Sequence, residues 1–300
     1  MEKIISIGNI SLGGTGKTPF AIMLGEFFLE KGLKVCVLSR GYKGKLGYNT
    51  HVISDGDKIY YFPPEAADEP YLIAQTLKKA VVITGKDRKK GFEIAKSRFG
   101  SEIFLLDDGF QHKKMPRDLD IVLLDYSRPI SNGLIFPFGY LREFPSALYR
   151  ADILIFTKAN GNNISDEVYK YCIGKPVFFS DYEFTGITSE SAYFSSEELR
   201  GATAVVFSGV AKNHHFFNML SKSGVSILQS YSFRDHHIYK DNELINILRA
   251  SEFKRADFII TTQKDYVKIP YIYKSKIFFA EIDIKLNDET LFFKTLTVLL

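Results

Sequence analysis

Three hundred residues, 45% hydrophobic and 25% charged, make a chain that folds throughout and has room for about two domains. Twenty-two Gly and 10 Pro exclude a fibrous or low-complexity chain, and two distant cysteines, Cys36 and Cys172, exclude a disulfide framework or zinc cluster and fit a reducing compartment. The net charge of +4 favours an acidic partner only weakly and is far from the dense basic footprint of a nucleic-acid binder, so no nucleic-acid partner is expected.

Ile4 to Ile7 is a short β-branched run ended by Gly8; a glycine loop follows, then Phe20, Leu24, Phe27 and Phe28 at helical spacing. Glu2 leads straight into that run with no basic segment or cleavage site, so no secretion signal is expected. Val35 to Leu38, Val81 to Ile83, Ile103 to Leu106, Ile121 to Leu124 and Ile153 to Phe156 are further apolar runs without alternation, the pattern of strands buried on both faces. Helical stretches such as 69–79 and 88–99 lie between several of them, which predicts an α/β fold with a mostly parallel sheet flanked by helices over residues 1–176. From about 177 to 200 the rhythm weakens into a linker or hairpin, and over 201–300 strands at Val205, Ile227 and Phe258 with helical windows at 213–223 and 241–250 predict a second, smaller α/β domain. No apolar run approaches the roughly 18 to 20 residues that span a bilayer, and the apolar end, 291–300, reads best as a docked terminal helix.

Gly13, Gly14, Thr15, Gly16, Lys17 and Thr18 sit between the first strand and the first helix, where backbone N–H groups and the helix N-terminus attract phosphate. In such a loop Lys17 reaches the terminal phosphates of ATP and the Thr18 hydroxyl ligates Mg²⁺; Pro19 suits the first helical turn. Ser11 stands where this motif has its first glycine. Ile103 to Leu106 runs directly into Asp107 and Asp108, paired carboxylates that can hold Mg²⁺ or its water shell at the carboxyl edge of a sheet.

Other clusters are ambiguous by themselves. Asp68-Glu69-Pro70 suits a helix start as well as catalysis, and Asp235-His236-His237 suits either structure or the tuning of a catalytic carboxylate. Arg40, Arg88 and Arg142 can clamp phosphate oxygens or serve as surface ion-pair residues. The stretch 131–145 carries Phe136, Phe138, Tyr140 and Phe144 among glycine and proline; it either meets an acyl chain or membrane, with Lys86, Arg88, Lys89, Lys90, Lys113, Lys114 and Arg117 for anionic headgroups, or folds into the core.

Taken together, Ser6-Ile7-Gly8-Asn9, the glycine loop through Pro19, Ser39-Arg40-Gly41-Tyr42, Asp68-Glu69-Pro70, Asp107-Asp108-Gly109-Phe110-Gln111-His112, Leu141-Arg142-Glu143, Asp235-His236-His237 and Thr262 through Lys268 occur in one order. In this the chain closely resembles the tetraacyldisaccharide 4′-kinase family. The resemblance implies a P-loop core with a smaller second domain, and transfer of the ATP γ-phosphate, with Mg²⁺, to the 4′-hydroxyl of a tetraacylated disaccharide 1-phosphate, the lipid A precursor. Its place would be peripheral, on the anionic cytoplasmic face of an inner membrane, with no obligate protein partner.

Carried over by the resemblance, Asp68 is the base, with His236 as its partner ahead of His237; Lys17, Arg88 and Arg142 act on phosphate. Gln111 and His112 join the glycine loop at the nucleotide, and Thr18, Asp107, Asp108 and Glu143 are the metal set. Two departures from the family pattern stand out: few residues precede Gly8 where an apolar segment is common, and Tyr140 replaces a usual Pro before Leu141-Arg142-Glu143. A P-loop ATPase serving as a regulatory or assembly switch is the alternative that shares the ATP site but needs no lipid acceptor.

Overall fold

A computed structural model describes residues 2–210 and 212–300. The apolar runs form strands and the periodic stretches form helices in the order β1 (Lys3–Gly8), α1 (Lys17–Glu30), β2 (Val35–Ser39), β3 (His51–Ser54), α2 (Asp68–Thr76), β4 (Val81–Thr84) and α3 (Arg88–Ile94). There follow β5 (Ile103–Asp107), β6 (Leu119–Asp125), β7 (Ile153–Thr157), α4 (Asp166–Cys172), β8 (Val177–Thr188), β9 (Tyr193–Ser195), β10 (Thr203–Ser208), α5 (Asn213–Lys222), β11 (Ser226–Ser232) and α6 (Asp241–Lys254). The chain ends with β12 (Phe258–Thr262), α7 (Gln263–Tyr266), α8 (Tyr271–Lys274), β13 (Phe278–Leu286) and α9 (Glu289–Leu299).

Two compact units result. The first runs through Tyr182 and takes in Ile284–Leu300; the second is Glu183–Asp283. In the first unit the strand order is β8-β7-β6-β1-β5-β2-β4-β3, parallel except for the edge strand β3, which runs antiparallel to β4. The central strands are buried throughout because residues on both of their faces are apolar, as in β2, β4, β5 and β7. The pairing Ile7↔Asp107 brings the end of β5 beside the end of β1, and Leu38↔Leu106 brings the end of β2 to the same edge. The glycine loop leaves β1 at this carboxyl edge, where open parallel sheets bind ligands.

In the second unit β11, β10, β12 and β13 form a parallel sheet, with apolar clusters around Phe216 and Leu220 of α5 and around Leu244 and Ile247 of α6.

The division differs from the expected boundaries at 176 and 200. Residues 177–188 form a continuous strand, and β9 returns antiparallel against it with Ile187 opposite Phe194, so the hairpin alternative describes this segment better than a linker. The end of the chain also returns to the first unit, where Phe292 meets Phe20 edge-on with ring centroids 5.7 Å apart and Phe293 stacks on Phe27 at 4.0 Å. The terminal segment is thus a docked helix, and the second unit stops before it.

Candidate active site

Gly16 precedes α1 with φ of 84°, a left-handed conformation that glycine adopts without steric cost, and it caps none of the first N–H groups of α1 with a side chain. Lys17 opens that helix, and its Nζ lies 3.4 Å from Asp108 Oδ1. Inside the loop the buried Asn9 donates from Nδ2 to Thr15 Oγ1 at 3.0 Å, while its carbonyl accepts from Gln111 Nε2 at 2.7 Å. The loop is therefore pinned to the Asp107–His112 segment rather than resting on its glycines. A Cβ at Gly8 would collide with the backbone of Phe110, so only glycine lets β1 pass this close to that segment.

Asp107 is buried, and its Oδ2 accepts from Ser39 Oγ at 3.1 Å, whereas Oδ1 is buried with no protein donor. Burial pushes its pKa up to about 6, with the charges of Asp108 and Glu69 adding to the effect and Lys17 and Arg88 opposing it. Asp108 behaves in the opposite way. Burial works against its charge, but Lys17 and Arg142 outweigh it and hold the carboxyl below its ordinary value. Arg142 donates to both Asp108 oxygens at 2.8 Å, and Asp108 adopts a φ of 54° that a side chain rarely tolerates. The two adjacent carboxylates are thus made unlike by their neighbours.

Arg88, at the start of α3, is buried and donates to the carbonyls of Gly85 and, at 3.3 Å, Asp107, while its Nε has no partner. Burial lowers its pKa to about 10, so the guanidinium remains charged at neutral pH. His112 sits partly buried beyond the carboxylates. Burial, then the charges of Arg88 and Arg117, lower its pKa. Glu143 is engaged by Lys113 at 2.9 Å, by Arg150 at 2.9 and 3.1 Å, and by Gln111 at 3.3 Å. That spends its oxygens on binding two loops together, and sets it apart from the other residues expected to hold metal.

Asp68 is the first residue of α2, whose cap position is Ala67, and Glu69 beside it contributes to the field at Asp107. The start of α2 thus faces the same edge of the sheet as the glycine loop. In the second unit, the His236 backbone N–H donates to the Gly209 carbonyl at 3.1 Å, and the Gly209 N–H donates at 2.8 Å to the wholly buried Asp265. His236 has φ of 63°, and its Nε2 lies 3.4 Å from Lys264 Nζ and 3.7 Å from Asp235 Oδ2. His237 is committed elsewhere, to Glu243 Oε2 at 2.9 Å and to a stack on Phe233.

Leu141 of the 131–145 stretch is buried in the core, but the four aromatic side chains are not. Phe136, Phe138, Tyr140 and Phe144 are 67%, 82%, 61% and 58% exposed, so the apolar atoms face outward as a group. Its backbone is nevertheless fixed to the residues entering the glycine loop. Leu12 donates to Tyr140 O and Arg142 to Ile10 O, both at 2.7 Å. Of the basic residues expected at the surface, Arg88 and Arg117 are turned inward; Arg117 binds Asp120 at 3.0 Å and the carbonyls of Gly109 and His112. Sequence reasoning attached no role to Asn9, Ser39 or Lys158. The last donates to Gly14 O at 2.7 Å and pairs with Asp125 at 3.2 Å, and only its place just after a buried strand could have marked it.

A glycine loop leaving the first strand of a parallel sheet, with a lysine at the helix start and unlike carboxylates on the neighbouring strand, defines a P-loop phosphotransferase. A family model described as tetraacyldisaccharide-1-P 4′-kinase matches residues 2–300. The tetraacyldisaccharide 4′-kinase of Geobacter metallireducens is 36% identical over 284 residues, covering 93% of this chain and 82% of the relative. That of Syntrophus aciditrophicus is 38% identical over 281 residues, covering 89% and 75%. The crystal structure of LpxK from Aquifex aeolicus in complex with ATP superposes with a TM-score of 0.80 at 33% identity, covering 99% of this chain and 88% of that one. The chain belongs to the tetraacyldisaccharide 4′-kinase family.

Proposed function

We propose that this protein transfers the γ-phosphate of ATP to the 4′-hydroxyl of a tetraacyldisaccharide 1-phosphate, the step of lipid A assembly for which its family is named. The observation that carries the reading is the cationic edge formed by Lys17, Arg142 and the buried Arg88 around Asp107 and Asp108, on the glycine loop of a chain matched by the family model from end to end.

The donor set fits Mg²⁺. Asp107 Oδ1 is a buried oxygen without a donor, Asp108 is held ionised, and Thr18 follows Lys17 on the helix. Thr18, Asp107 and Asp108 would hold the ion, which when bound neutralises charge on the phosphate oxygens. Glu143 acts at one remove by keeping Gln111 and the Lys113 and Arg150 loops in place. Lys17 binds the terminal phosphates, and Arg142, steered by Asp108, offers N–H groups to the phosphoryl group in flight. Arg88 fixes the Gly85 and Asp107 carbonyls and adds its charge, while Gln111 and His112 border the nucleotide.

Asp68 takes the proton of the attacking hydroxyl, and His236 is its partner; His237 is less suited because Glu243 and Phe233 already engage it. These two roles rest on the family pattern. The exposed aromatic loop supports a further part of the reading, contact with acyl chains at an anionic membrane surface on the cytoplasmic side, with the exposed Lys114 available to headgroups. Among the described residues no helix is long and apolar enough to cross a membrane, so attachment would be peripheral.

The test is acceptor dependence. Labelled phosphate from γ-labelled ATP should enter tetraacyldisaccharide 1-phosphate in detergent micelles with Mg²⁺, and release of inorganic phosphate should be slow with or without lipid. ATP hydrolysis by folded protein with no labelled lipid would instead indicate a switch ATPase.

A further inference from the structure

Asp265 lies in the second unit with no exposed surface, 2.7 Å from the Nζ of Lys268, whose side chain is itself only 5% exposed. Such a buried ion pair is a poor stabiliser, because desolvation of the two charges offsets most of their attraction, and apolar residues of similar volume often hold a core equally well. Its presence calls for another reason, which the remaining hydrogen bonds of Asp265 supply. Oδ1 takes the lysine, while Oδ2 accepts from the Gly209 N–H at 2.8 Å and from the Thr262 hydroxyl at 2.7 Å. The carboxylate is thereby fixed at the carboxyl end of β10, where Gly209 leaves the strand.

Gly209 is the foot of the His236 turn. Its carbonyl accepts from the His236 N–H at 3.1 Å, and a Cβ on it would stand 3.0 Å from Asp265 Oδ1 and 3.2 Å from the Arg234 carbonyl. Glycine thus lets the carboxylate and the 234–236 turn close on one residue from two sides. His236 needs that hold, since its φ of 63° is a left-handed conformation that persists in a residue with a side chain only where the surroundings enforce it. The neighbour of Asp265 on α7 reaches the same turn from its side chains: Lys264 Nζ lies 3.4 Å from His236 Nε2 and 3.5 Å from Asp235 Oδ1. We propose that Asp265, neutralised by Lys268, is a positioning residue for the transfer reaction, which through Gly209 holds the His236 turn in the conformation from which the imidazole acts. The inference rests on the reading of His236 as the partner of the catalytic base.

The experiment measures kcat, KM for the lipid and affinity for a non-hydrolysable ATP analogue in the wild-type chain, in His236→Ala and in two uncharged replacements of the buried pair. Asp265→Asn with Lys268→Gln keeps an acceptor for the Gly209 N–H, and Asp265→Leu with Lys268→Met does not. The apolar pair should lower kcat about tenfold or more, and the amide pair should stay within about threefold of the parent. ATP affinity should be unchanged in both, since the glycine loop belongs to the other unit. Added to His236→Ala, the apolar pair should cost less than about twofold more, because the displaced turn no longer carries an imidazole. Gly209→Ala, which crowds the same contact and leaves the pair intact, should show the same loss of kcat and the same dependence on His236, and it carries the test if the apolar pair does not fold. An unchanged kcat in these variants while His236→Ala lowers it, or losses that multiply with that of His236→Ala, would overturn the inference and leave the role of His236 standing. No loss from His236→Ala itself would overturn the reading of His236, and the inference with it.

Discussion

The carboxyl edge of β5 and the 131–145 loop adjoin the same glycine loop and depart from ordinary burial in opposite directions. At the β5 edge the chain buries charge. Asp107 is enclosed with one oxygen unpartnered, Arg88 is enclosed beside it, and the outcome is two neighbouring carboxyls shifted in opposite senses. In the loop the chain exposes apolar surface, four aromatic side chains each more than half accessible, on a backbone anchored by hydrogen bonds to Ile10 and Leu12. Each arrangement costs stability by itself, the first through desolvation and the second through unburied apolar area. Both costs fall within a few residues of the loop that binds phosphate. In the proposed reading both departures serve one reaction, in which a charged donor and an acylated acceptor meet beside that loop.

Breaking the proton-accepting part of the site should have the largest effect. Asp68→Ala should lower transfer by about a thousandfold while leaving ATP affinity nearly unchanged, as loss of a general base does, and His236→Ala added to it should cost little more. Steady-state transfer rates beside nucleotide affinities for the two single variants and the double variant check this. Lys17→Ala should slow transfer by about a hundredfold or more, with an effect on productive ATP use that Asp68→Ala does not show. On the apolar side, changing Phe136 and Phe138 together to Ser should leave thermal stability within about 0.5 kcal/mol and weaken association with vesicles containing anionic lipid by about tenfold or more. Co-sedimentation at two salt concentrations separates the apolar from the charged contribution.

The smallest effect belongs to the residue that joins the two regions. Burial opposes the charge of Glu143, but Lys113 and Arg150 outweigh it and hold the folded-state pKa below its ordinary value. A carboxyl depressed on folding contributes stability that is present above its unfolded pKa and is lost as pH falls through the folded one. Glu143→Gln should therefore melt earlier than the parent at pH 7, by about 1 to 3 kcal/mol in stability, and the two melting curves should converge as the pH is taken below that of an ordinary glutamate. Parallel curves down to low pH would show that Glu143 contributes nothing through its charge.

Much of this was readable in advance, for reasons that differ by residue. The strands of the first unit announce themselves because they are buried on both faces and carry no alternation, and the glycine loop because phosphate needs those residue types at that spacing. Strand β13 was not legible: its sequence FFAEIDIKL mixes charge into a strand whose burial is irregular. Nor was the return of α9 to the first unit, since an apolar terminal helix does not say which partner its Phe292 and Phe293 will meet.

Within the site, Asp107 and Asp108 were found by position but not told apart, because the difference lies in Ser39, Lys17 and Arg142, which only the fold brings to them. Glu143 carried the same chemical label as those two and turned out to face cations of neighbouring loops. Lys158, one lysine among many in the sequence, is singled out only by the fold, which sets its Nζ between Gly14 O and Asp125.

The most direct test of the central claim, that the buried charge and the exposed aromatic loop serve one reaction, is phosphorus NMR of the lipid recovered after incubation of the protein with tetraacyldisaccharide 1-phosphate, ATP and Mg²⁺. A second phosphomonoester signal, assigned by its coupling to the proton at the 4′ position and absent with Asp68→Ala, is the predicted result. Recovered lipid with its 1-phosphate alone, beside accumulating ADP and inorganic phosphate from folded protein, would contradict it.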